Sequence, residues 1–341
     1  MSNPIFIARQ DTLEQEILPA HWLSQYKLFG EESYTFQDKE IWKKLCMSSA
    51  AANDRDMHAE ALEEMLTTFS AEHTGKWMLL IYGLDAAALE GLASMAAIAA
   101  NGTAMAAVAG NALLMHAITN SETAMRAIAN SQTAMHAIAN SETAMQRIAN
   151  STTAMDAIGG SKIARDAVQA SPYYDAKIKE NDMAIAKLVV GFANLESARY
   201  SGCAGMAADS TAMTAVAASS TAMTAVAASA TAMGKIAAVD AALSKLAAST
   251  TAMDALYARK KQMKGGSASK SGKFIILEIS QNNAFNTSKY GYATLSDGSK
   301  PDWSSYLAKY AFFQKYPKYA TYMLNDTDSD DYIYYFDIAS P

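Results

Sequence analysis

Between Asn120 and Gly160 the chain reads N-SETAMRAIA-N-SQTAMHAIA-N-SETAMQRIA-N-STTAMDAIG-G, a ten-residue repeat. Extended in both directions, its methionine column holds Met95, Met105, Met115, Met125, Met135, Met145 and Met155. Three residues after each comes Ile98, Val108, Ile118, Ile128, Ile138, Ile148 or Ile158. A second array follows with the pairs Met213/Val216, Met223/Val226, Met233/Ile236, Leu243/Leu246 and Met253/Leu256, and Cys203/Met206 is its degenerate first member. A short fixed period over this much of a chain predicts a quasi-one-dimensional architecture rather than a globular enzyme.

Two further columns punctuate each repeat. Gly110, Asn120, Asn130, Asn140, Asn150 and Gly160 are residues that tolerate the left-handed conformation past a helix end. Asn101, Asn111, Ser121, Ser131, Ser141, Ser151 and Ser161 follow them and are good N-caps. Each repeat is therefore expected to be one helix of about two turns, such as 122–129, stopped by Asn130 and restarted by Ser131. A continuous helix fits worse: ten residues advance about 1000°, so the Met/Ile stripe would drift by about 80° per repeat. The stop column of the second array is Ala208, Ala218, Ala228 and Ala238, which leaves broken and continuous helix both open there.

A layer with two large apolar side chains in ten residues buries too little area to stand alone. Neighbouring layers must close the core. The expectation is that neighbouring chains do so too, in a homotrimer around an axis, with a monomeric solenoid as the alternative.

Around the arrays the composition changes. Residues 1–80 hold Trp22, Trp42 and Trp77 and a helical pattern, Met57, Ala61, Met65 and Phe69, that predicts a small helical head. Residues 81–170 carry the first array. Residues 171–200 break the period, and Ser171-Pro172 followed by an apolar run predicts a longer, collaring helix. Residues 201–258 carry the second array, and 259–272, basic and Gly/Ser-rich, read as a flexible linker. From 273 to 341, FIILEIS, YGYATL, TYML and YIYYFDI read as strands and SYLAKYAFFQKY as a helix, a compact α+β tip. The fold class is thus mainly α, a short-helix shaft with a helical head and a small α+β tip.

The charge of −6 and pI near 5.4 give no reason to expect nucleic acid or an anionic membrane as partner. No stretch is long and apolar enough to suggest membrane insertion. The N-terminus lacks the basic start and apolar core of a signal peptide, so synthesis in a cytoplasm is expected. Cys46 and Cys203 suggest no disulfide framework.

Few residues suggest chemistry. The column after each methionine varies freely (Ala106, His116, Arg126, His136, Gln146, Asp156) and marks an outward face, on which Glu122 and Arg126 are placed to pair at i,i+4. Asp326, Asp328 and Asp330 are a weak calcium candidate, because Asp331 stands where a calcium loop needs glycine. No nucleophile–base pair is visible, no cofactor is implied, and the chain is not expected to be an enzyme. Ten of the 17 tyrosines lie in the tip. Exposed aromatic rings stack on sugars and anchor interfaces, so Trp303, Tyr290, Tyr292, Tyr332 and Tyr334 are the candidate ligand-binding residues, with Trp303 read as exposed.

At TAMxAIANS and TAMTAVAAS the sequence resembles tail-fibre and receptor-binding proteins of bacteriophages and prophages, which carry similar Ala/Met/Ser/Thr decapeptide runs. The resemblance covers residues 95–165 and 203–256. It implies a virion location, attachment to other virion proteins through residues 1–80, an elongated and often trimeric shaft, and a distal tip that binds host-surface carbohydrate or protein. It carries over no catalytic residue. A capsid- or baseplate-associated scaffold and a bacterial surface adhesin are the alternatives, the missing signal peptide counting against the adhesin.

Overall fold

The computed structural model describes residues 95–110, 115, 118–280, 291–303, 307–326 and 331–341. The predicted head lies outside these residues. The described chain is mostly helical and ends in an antiparallel sheet. It divides into two compact units, 1–177 and 178–341.

In the first unit each repeat is one short helix: α1 (Met95–Ala100), α2 (Gly102–Gly110), α3 (Glu122–Ala129), α4 (Gln132–Ala139), α5 (Glu142–Ala149), α6 (Thr152–Gly160) and α7 (Lys162–Gln169), then a single turn, α8 (Tyr174–Lys177). The serine column caps them as expected, with Ser131 Oγ accepting from the Ala134 amide at 3.2 Å and Ser151 Oγ from Ala154 at 3.1 Å. The asparagine column does something else. Asn130, Asn140 and Asn150 lie at φ −94°, −94° and −99° with ψ near 0°, so none is left-handed. The break is made one residue later, where each serine takes an extended conformation near φ −100°, ψ 115° that any residue can adopt. Alanine therefore serves equally well in the stop column, as at Ala170, φ −82°.

Each helix packs on the third helix along: α2 packs on α4, which is third because Met115 and Ile118 are also helical, between α2 and α3. The same spacing pairs α4 with α7, α1 with α3 and α3 with α6. Three repeats thus make one turn of a coil, and the serine hydroxyls stitch successive turns. Each donates to a carbonyl 32 residues earlier: Ser131 to Ala99, Ser141 to Ala109, Ser161 to Ala129 and Ser171 to Ala139, all at 2.5 Å. The inner columns are closed within one chain. Met105, Met115, Met125, Met135, Met145 and Met155 are 0% exposed, as are Ile128, Ile138 and Ile148. Burial of the repeat core, the reason for expecting partner chains, is met instead by the third repeat along.

The second unit begins where the sequence seemed to lose its period. Asn181 caps α9 (Asp182–Phe192), and Ile185 and Leu188, both fully buried, occupy the methionine and isoleucine columns. No long collaring helix spans 171–200. The irregular segment is short: Asn194 at φ 57° closes α9, its amide and that of Leu195 bonding to Gly191 and Val190, and a 3₁₀ turn follows at Ser197–Arg199. The coil then resumes through α10 (Cys203–Ala208), α11 (Ser210–Ala218), α12 (Ser220–Ala228), α13 (Ala230–Ala237), α14 (Asp240–Ala247) and α15 (Thr250–Ala258). The second array is broken, not continuous, with α11 and α12 bent by 101°. Asp209, Ser219, Ser229 and Ser249 cap its helices, whereas Val239 has no side chain to do so. Third-neighbour pairing recurs, α9 on α12, α11 on α14 and α12 on α15, and Ser249 donates to the Ala217 carbonyl.

The presumed linker is structured. Strand β1 (Lys261–Lys264) follows α15 at once, and β2 (Ala268–Ser280) begins well before the apolar run that announced it. Gly266 and Ser267, both at positive φ, make the turn between them. With β3 (Gly291–Leu295), β4 (Asp302–Trp303), β5 (Ala320–Asn325) and β6 (Tyr332–Asp337) they form one antiparallel sheet in the order β1-β6-β2-β5-β3-β4. The last strand is inserted between the first two, so both ends of the domain are locked into the sheet. A short helix, α16 (Ala311–Lys315), replaces the longer one expected from SYLAKYAFFQKY. One face of the sheet gathers Phe274, Ile276, Ala293, Trp303, Met323, Ile333 and Tyr335 into a core with Phe312.

Candidate functional site

The sheet domain seats on the last helices of the second array. The Tyr257 hydroxyl donates to Glu278, Tyr310 and Lys309 both bond to Asp254, and Lys318 bonds to Asp240 at 2.7 Å. A coil of stacked layers needs such a closing element, because its last layer would otherwise expose its inner columns. Hydrogen bonds from Tyr310 and then Lys309 hold the Asp254 carboxyl below its usual range. Burial, then the Glu278 carboxylate, pushes the Tyr257 phenol up, and burial with the Asp254 bond does the same for Tyr310.

These shifts set a pH window for the junction. A depressed carboxyl stabilises the fold fully above its free value, about pH 4, and the contribution is lost as pH falls further. A raised phenol stabilises fully below its free value, about pH 10, and the contribution is lost as pH rises through the raised one. Denaturation midpoints should therefore fall on both sides of that window. Replacing Tyr257 and Tyr310 by Phe should flatten the alkaline limb, and an unchanged alkaline limb would refute the assignment.

The candidate aromatics fare unequally. Trp303 is buried, only 3% exposed, and belongs to the core rather than to any surface. In β4 alternation sends Asp302 outward and Trp303 inward, where its indole lies on Gly291: a Cβ there would stand 2.2 Å from Nε1. Tyr290 lies outside the described residues. Tyr332 and Tyr334 stack on each other at 6.2 Å, and Tyr334 also meets Tyr257 at 6.4 Å. Lys260 lies over both Tyr257 and Tyr334, so that pair of rings is engaged internally. Tyr292 is half-buried beside Tyr322, their centroids 5.7 Å apart, on the sheet face opposite the core.

Of the calcium candidates, Asp328 and Asp330 lie outside the described residues, and Asp326 accepts a hydrogen bond from Ser267. Among the described residues no group of three or more His, Cys, Asp or Glu could hold a metal ion. His116 is outside them too. His136 is outward-facing on α4, within 3.2 Å of Asn140 Nδ2, between two shallow furrows floored by small residues such as Gly102, Ala106, Ala167 and Ala170. Glu122 and Arg126 form the expected exposed pair. The Cys203 thiol is fully buried in the methionine column, and burial with the nearby Asp182 pushes its pKa up, which suits packing and not nucleophilic chemistry.

No family model matches the chain, and no curated protein is significantly similar to it. Among the described residues no single helix is long and apolar enough to cross a membrane; α11 and α12 pass that test only together, across their 101° bend.

The sequence missed the Tyr322 neighbour of Tyr292 and the Asp254–Tyr257 junction. Both depend on which residues come together across strands and layers, for which residue spacing along the chain holds no sign.

Proposed function

We propose that this chain is a structural virion protein of a bacteriophage, a tail fibre or similar appendage. In this reading residues 1–80 attach it to other virion proteins, the coil acts as a spacer, and the sheet domain touches a host-surface ligand. The observation that carries the reading is how the repeats spend their side chains. Methionine, isoleucine and alanine columns are consumed by the core, while the outward columns vary from repeat to repeat. Such a coil sets a distance and displays its end, and its resemblance to decapeptide-bearing fibre proteins points the same way. A homotrimer, which the resemblance implies, has to form through surfaces other than the repeat core, since that core closes within one chain.

Purification of particles released from the producing cells, followed by mass spectrometry, tests the reading. The chain should co-purify with tail proteins, and an antibody to the sheet domain should label the particle periphery. Its absence from particles, or labelling inside a capsid, would overturn it. Sedimentation of the full chain gives the oligomeric state independently.

A further inference from the structure

We infer that the open face of β3, β4 and β5 is a binding site for neutral carbohydrate. This rests on the proposed contact with a host-surface ligand and names its chemistry. The strand register assembles the site. Tyr292 pairs with Leu324 on one side and with Asp302 on the other; Tyr322 pairs with Thr294 and with Ser271, and Leu324 with Ser269. Residues directly opposite in an antiparallel sheet share a face. Their neighbours Ala293, Met323 and Trp303 all lie in the core, so this set faces the other way. The result is two adjacent tyrosine rings and a leucine, half-buried, rimmed by the hydroxyls of Ser269, Ser271 and Thr294 and by the exposed carboxylate of Asp302.

Two features separate this patch from the other aromatics. Elsewhere in the domain the chain covers its rings with its own lysines: Lys260 over Tyr334, Lys270 over Tyr335, Lys273 over Tyr319 and Lys315 over Tyr316, at 5.2–5.7 Å. Among the described residues no cation lies over Tyr292 or Tyr322, so those rings remain free to stack. The register also places two opposite charges there, Asp302 across from Tyr292 and Lys300 across from Thr294, and sends Lys270 to the opposite face, over Phe274 and Tyr335. A pyranose offers an apolar C–H face to stack on a ring and hydroxyls that donate to a carboxylate. Lys300 and Asp302 together leave this face without the excess of positive charge that phosphate or sulfate polymers need, which disfavours nucleic acid and anionic glycans.

The test is affinity electrophoresis of the full chain through native gels containing dextran, mannan, galactan or xylan, with heparin and single-stranded DNA as anionic controls. Retardation is expected in at least one neutral gel. Tyr292→Ala and Tyr322→Ala should each weaken it by about tenfold or more, and Asp302→Asn by about five- to tenfold. Thr214→Ala, on an exposed face of α11, should leave it unchanged. No retardation in any neutral gel, retardation that survives both tyrosine variants, or retardation by the anionic polymers alone would overturn the inference. Particle association with no sugar binding would sink this site and spare the virion role; sugar binding by a chain absent from particles would do the reverse.

Discussion

Gly291→Ala is expected to destabilise the sheet domain by about 3 kcal/mol, at the upper end of what overpacking a close contact costs. The reason is steric and local. The added methyl would stand 2.2–2.4 Å from three atoms of the Trp303 indole, distances that side chains do not tolerate. The indole itself is held edge-on by Phe312, with ring centroids 5.8 Å apart, so it cannot simply step aside. Hydrogen exchange of the sheet amides, which reads the same in variants with and without Trp303, measures the loss. A double-mutant cycle assigns it: Trp303→Leu alone should cost about 2–4 kcal/mol, and adding Gly291→Ala to it should cost about 1 kcal/mol or less. Full additivity would show that the glycine matters for another reason.

The second large effect is expected in the serine ladder. Ser161 is buried, accepts from the Ala164 amide at 3.3 Å and donates to the Ala129 carbonyl at 2.5 Å. Ser161→Ala removes the cap, worth about 1 kcal/mol, and strips a partner from a buried carbonyl, worth about 1–3 kcal/mol. A total near 2–4 kcal/mol is expected. Ser161→Thr keeps both bonds and should cost under about 1 kcal/mol. The reciprocal change is Val239→Ser, at the position where α14 starts without a side-chain cap. It should gain about 1 kcal/mol. Equal losses for Ala and Thr at 161 would show that shape, not hydrogen bonding, governs the column.

Much of the fold was legible because the period of ten exceeds what one helix can keep in register, and because Ser is a cap wherever it precedes an apolar pair. What sequence could not supply was the partner of each layer. Column identity says that Met125 must be buried, not that the third repeat along buries it. The asparagines were misread for an instructive reason: a residue that permits left-handed backbone need not use it, and among the described residues Asn194, outside the arrays, is the asparagine that does. The place of 181–192 in the second unit's own coil was hidden because Ile185 and Leu188 keep the pattern of burial while changing its letters. At the proposed site, aromatic content pointed to the sheet domain as a whole. It could not separate Trp303 from Tyr292, which lie on opposite sides of one sheet through the parity of two short strands.

The third-neighbour pairing also bears on how such a gene can change length. Gain or loss of any whole number of repeats leaves caps and core columns intact. Gain or loss of three repeats restores every outward residue to the column it had before. Within the second array, gain or loss of one or two moves the rest of that unit to a different side of its coil, the sheet included. Length variants among natural copies should therefore favour steps of thirty residues wherever the direction in which the sheet faces matters.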